Sequence, residues 1–140
     1  MGRKVTAFVT AGALVLASVA MAKSYELEGD LGEAHPDSEV TSTVQVRGGV
    51  PTQLKTFEFA GLLAECSGDS ELEVSGESGR PTKVVRKGTR FKFETELTEG
   101  GSTAAVRGRV SRSGKASQGR IEYSEADGDC EAEARFELER

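Results

Sequence analysis

The chain has no tryptophan, one histidine, two cysteines, two tyrosines and three prolines among 140 residues. Each scarcity removes a class of chemistry. His35, the single histidine, sits in an acidic loop just before Pro36. A Ser-His-Asp triad would have to use it, and no serine elbow lies nearby. One histidine and two distant cysteines, Cys66 and Cys130, lack the spacing of a zinc site. There is no indole to stack a sugar, and nothing among the 23 acidic residues singles out a carboxylate pair for glycoside hydrolysis. Asp127-x-Asp129-x-Glu131 lacks the full EF-hand pattern and falls on a turn, which Asp-Gly explains without a metal. The sequence therefore predicts no enzyme, no metal and no cofactor. Helical patterning is missing too: beyond residue 22 no segment carries a 3.6-residue period.

What is present begins with a basic start, Arg3-Lys4, followed by an uncharged run from Val5 to Ala22 that ends in Ala20-Met21-Ala22. This is the layout of a secretory signal peptide over residues 1–22, with one domain over 23–140 and a secreted product. The competing reading is a retained membrane anchor. The run is 18 residues long, barely a span, and Thr6, Thr10, Gly12 and Ser18 weaken it. Membrane association is expected only if that segment stays uncleaved. Of the 18 bases, Arg3 and Lys4 leave with it, so 16 face 23 acids and the net charge is −7. Such a domain is not expected to bind nucleic acid through bulk charge.

Export and an even cysteine count favour a disulfide, and two cysteines allow one intramolecular pairing, Cys66–Cys130. Two buried free thiols are the alternative. The stretch Cys130 to Leu138 supports the first reading. Small or apolar residues fill its even positions and charged residues its odd ones, so a strand there buries Cys130 with Phe136 and Leu138.

The same period of two recurs along the chain. Tyr25 and Leu27 alternate with Glu26 and Glu28; Val40, Val44 and Val46 share a face; Gly48 to Pro51 turns the chain. Phe57 and Phe59 share a face, and the parity then flips to Leu62, Ala64 and Cys66, which predicts a β-bulge at Gly61. Leu72 with Val74, Phe91 with Phe93 and Leu97, Val106 with Val110, and Ile121 with Tyr123 mark further strands. Pro51 and Pro81 fall outside strand centres, as a ladder requires. The expectation is an all-β domain, an antiparallel meander of about 7–8 strands forming a sandwich or a small barrel.

Two hairpin registers follow. A loop at Gly100-Gly101 sets Leu97 opposite Ala104, Phe93 over Gly108 and Glu94 beside Arg107. For the last hairpin two turns compete. A loop at Asp127-Gly128 suits a type I′ turn but sets Glu122 against Glu133 and Arg120 against Arg135. A loop at Gly128-Asp129 sets Glu122 against Arg135 and Ile121 against Phe136. Cross-strand charge favours the second, so Gly128-Asp129 is the expected turn.

The spacing Val44-x-Val46-Arg47-Gly48-Gly49, Phe57-x-Phe59, Cys66-Ser67-Gly68, Lys87-Gly88-x-x-Phe91, Gly108-x-Val110, Ala116-x-x-Gly119-x-Ile121, then Cys130 and Phe136, resembles a broad group of small exported actinobacterial proteins of unknown function. The resemblance implies a signal peptide, a β-rich domain and two cysteines. It implies no activity.

The charge pattern offers the one candidate surface. Arg80, Lys83, Arg86, Lys87, Arg90 and Lys92 form a run without an acid, and Arg107, Arg109, Arg112, Lys115 and Arg120 follow. Arg86, Lys87, Arg90, Lys92, Arg107 and Arg109 are the candidate patch for an anionic partner, an acidic protein or polymer. The bland reading is a solvated face neutralised by Glu94, Glu96, Glu122 and the acidic last strand. The expected function is a non-catalytic binding or interaction module. The alternative is a small barrel that carries an apolar molecule.

Overall fold

The computed structural model describes residues 22–140, so the expected signal segment lies, Ala22 apart, outside the described residues. Ten strands follow one another: β1 (Lys23–Gly29), β2 (Glu39–Arg47), β3 (Val50–Cys66), β4 (Ser70–Glu77), β5 (Thr82–Lys83), β6 (Val85–Lys87), β7 (Arg90–Glu99), β8 (Ser102–Val110), β9 (Ala116–Glu125) and β10 (Cys130–Glu139). β5 and β6 have two and three residues, so eight long strands carry the sheet, within the expected range. All pair antiparallel in one sheet of order β4-β3-β2-β1-β10-β9-β8-β7-β6, with β5 beside β3.

The sheet rolls over because β10, paired with β9 along one edge, serves two neighbours along the other. Its end meets β1 at Glu28–Glu139, and its start meets β3 at Cys66–Cys130 and Glu65–Glu131. The disulfide joins that last seam, with the Cα atoms 4.0 Å apart. A disulfide of this kind belongs to an oxidising compartment. The rolled inner faces of β3, β7 and β10 meet at three rings. Phe57 lies 6.5 Å from Phe93 and 5.4 Å from Phe136, centroid to centroid. Beneath them runs an inner row of four paired residues, Phe93–Gly108–Gly119–Phe136. A Cβ on Gly108 would fall 2.9 Å from Phe93 Cζ, and one on Gly119 2.7 Å from Phe136 Cζ. Each ring therefore covers the backbone of the glycine beside it, as expected for Phe93.

β3 is irregular for reasons partly visible in its residues. The bulge at Gly61 is present, with the ladder to β4 shifting between Phe59 and Leu62. Two further shifts against β2 leave out Lys55 and Thr52. They follow from parity, since Leu54 and Phe57 on either side of Lys55, and Pro51 and Leu54 on either side of Thr52, are buried yet lie an odd number of residues apart. Ser42 reaches an inner position beside one of these shifts, and its hydroxyl donates to Thr56 O at 2.9 Å.

The Gly100-Gly101 hairpin has the expected register, from Glu99–Ser102 through Leu97–Ala104 to Phe93–Gly108 and Glu94–Arg107. The last hairpin does not. Ile121 pairs with Ala134, Glu122 with Glu133 and Arg120 with Arg135, so the turn sits at Asp127-Gly128 and not at Gly128-Asp129. Turn geometry decided it. Gly128 has φ of 77°, and Asp127 Oδ1 accepts a bond from the Asp129 N–H at 3.0 Å. The Gly128 N–H also donates to Glu125 O at 3.0 Å, and such turn bonds, at about 0.5–1.5 kcal/mol each, outweigh exposed like-charge pairs that cost a few tenths each. Part of that smaller cost is relieved. Arg120 swings onto Glu122 on its own strand and reaches Glu133 diagonally at 3.4 Å.

Candidate functional site

The corrected register creates the site. On the outer face of β7–β10 the paired residues form rows across the strands. One row reads Glu94–Arg107–Arg120–Arg135, and its neighbour reads Lys92–Arg109–Gln118–Glu137. Three arginines thus stand side by side on three strands about 4.8 Å apart. They lie around a shallow concavity of about 560 Å³, lined by Arg90, Lys92, Arg107, Arg109, Arg120 and Arg135, with Glu94 and Glu137 as its acids. Among the described residues only Arg120 forms ion pairs, to Glu122 and Glu133. Its Nε is buried and has no hydrogen-bond partner.

Of the six residues expected to form the patch, Arg90, Lys92, Arg107 and Arg109 come together here. Arg86 and Lys87 do not line it. β6 runs beside the start of β7, where Arg86 lies over the Phe91 ring at 5.8 Å and donates from Nε to Gly88 O at 3.0 Å. Arg120 and Arg135 were missed because the charge-balanced register set each against a glutamate. The Asp127-Gly128 dipeptide was the signal that would have found them.

His35 serves the backbone. It is buried at 7% exposure, and its Nδ1 accepts the Leu63 N–H at 2.9 Å. This bond replaces a strand partner. β3 is paired by β2 as far as Ala60 and by β10 from Glu65, and the loop carrying His35 fills the interval. His35→Ala leaves the Leu63 N–H without an acceptor and is expected to destabilise the domain by about 1–3 kcal/mol. Denaturant titration measures this, and a loss below about 0.5 kcal/mol would mean that water replaces the imidazole. The turn carboxylates are also engaged: Asp129 Oδ1 accepts from Ser67 Oγ at 3.2 Å.

The rings of Phe57, Phe93 and Phe136 fill the middle of the interior. At one end, between β4 and the ends of β7–β9, lies an open groove of about 750 Å³. Phe59, Leu97, Ala104 and Tyr123 belong to its lining. The Tyr123 hydroxyl lies 3.2 Å from both Glu125 Oε1, to which it can donate, and Ser102 Oγ, from which it can accept. No family model, curated protein or solved structure matches the chain.

Proposed function

We propose that this chain is an exported, non-catalytic binding module that takes an anionic partner, an acidic protein or polymer, on the outer face of β7–β10. The arginine row Arg107–Arg120–Arg135 carries the reading. Like charges directly opposite one another weaken a sheet, so the row is unfavourable in the free domain and becomes favourable when an anion spans it. Guanidinium groups suit this task, because their planar forks grip carboxylate or sulfate with two parallel bonds. The uncharged N-terminal run and the disulfide support export.

The test uses polyglutamate and dextran sulfate as probes, titrated calorimetrically against the domain and against R107Q/R109Q/R135Q. Arg120 is kept because it holds Glu122 and Glu133. The triple variant is expected to bind about tenfold more weakly, since exposed charge contacts contribute about 0.2–1 kcal/mol each. Its thermal midpoint stays level or rises slightly, because the like-charge pairs are relieved. Equal affinity of variant and parent, or no binding of either probe at low salt, would sink the reading.

A further inference from the structure

The ladder ends at β4 on one side, and on the other the upper half of β7 has no ladder partner, with β5 and the loop before it lying beside its lower part. β4 has β3 as its one ladder partner among the described residues. β7 is paired by β6 only from Arg90 to Lys92, so Phe93–Glu99 lack a partner on that side. The open groove lies between these two edges. The groove narrows at Gly76, where a Cβ, had the residue one, would come 2.7 Å from Phe59 and 3.5 Å from Leu97. On the β4 side Leu72 is 40% exposed and Val74 half-buried, although both face inward from strand positions paired to buried Ala64 and Leu62. Two unpaired edges with an uncovered apolar strip between them are what an added strand would satisfy.

Charge selects the occupant. Glu39, Glu58, Glu73, Glu77 and Glu99 line the groove, and no base does. A second copy docking β4 on β4 would set Glu71 and Glu73 against their own like, which disfavours it. We propose that this gap accepts an extended segment of a partner protein as an added β-strand, with Lys or Arg alternating with apolar residues. The apolar residues cover Leu72 and Val74, and the bases meet the glutamates. At about 3.3 Å per residue, the length of β4 bordering the groove takes about six residues. The proposal does not depend on the arginine face.

A labelled peptide of alternating lysine and valine is the probe, with three controls: a scrambled peptide, one alternating glutamate and valine, and one N-methylated at alternate backbone nitrogens. Fluorescence anisotropy is expected to show the parent peptide binding at least about tenfold more tightly than each control. Amide exchange in residues 72–77 slows in the complex. E73Q/E77Q weakens binding about tenfold, and R107Q/R109Q/R135Q leaves it unchanged. Equal binding of the N-methylated or scrambled peptide would reduce the effect to bulk charge and overturn the proposal. So would a domain that dimerises through β4 in sedimentation and excludes the peptide.

Discussion

Replacing Cys66 and Cys130 together by alanine is expected to lower stability by about 4 kcal/mol, the chain-entropy value for a loop of this size. The two residues are 64 apart in sequence, and β4 to β9 all lie inside the loop they close. The seam they fasten has one other ladder pair, Glu65–Glu131, which is like-charged. Two contacts from Ser67 to Asp129, one backbone and one side-chain, add to it at 2.9 and 3.2 Å. Without the covalent link the seam keeps these and, deeper in the core, the Phe57–Phe136 ring contact. For a domain of this size the thermal midpoint falls by roughly 12–20 °C. Calorimetry with and without reductant reads the effect. A double variant within about 1 kcal/mol of the parent would show that the unfolded chain is not restrained by the bond.

Phe57→Ala is expected to be nearly as damaging. The side chain is 1% exposed and is the ring that joins β3 to both β7 and β10. Its removal opens a cavity over a row whose two middle members, Gly108 and Gly119, have no side chains to move into it. Rigid surroundings raise the cost of truncation, so the loss should reach about 3–5 kcal/mol. Phe57→Leu, which keeps most of the volume, should lose far less. Urea midpoints of the two variants measure the difference, and equal midpoints would place the core's weight elsewhere.

Much of the fold was legible because the inner and outer faces alternate so regularly. The Gly100-Gly101 hairpin could be read to the residue, since turn, burial and the Glu94–Arg107 pair agreed on one register. The last hairpin set two of those cues against each other. Both registers bury the same face, and the outer charges, being half in water, proved weaker than the turn's own hydrogen bonds. The arginine row is the direct product of that outcome, so it was hidden by the same error. The shift at Lys55 could have been found from the parity of Leu54 and Phe57. The groove could not. It depends on β4 and β7 facing each other after the sheet has rolled, and no local pattern encodes that meeting.

The seam between β3 and β10 also orders events in time. β7 to β10 form a meander in which each strand pairs with its sequence neighbour, so its loops close at little entropic cost and on a microsecond scale. The β3–β10 contact spans 64 residues and must wait for that nucleus, because non-local pairing is slow. Cys130 is then already held in a strand when Cys66 arrives. Thiol oxidation, which takes seconds to hours, becomes the step that governs how fast the finished domain accumulates. Pulse-labelled amide exchange during oxidative refolding should find β7–β10 protected before the second half of β3. The reverse order would make the bond the template for the sheet.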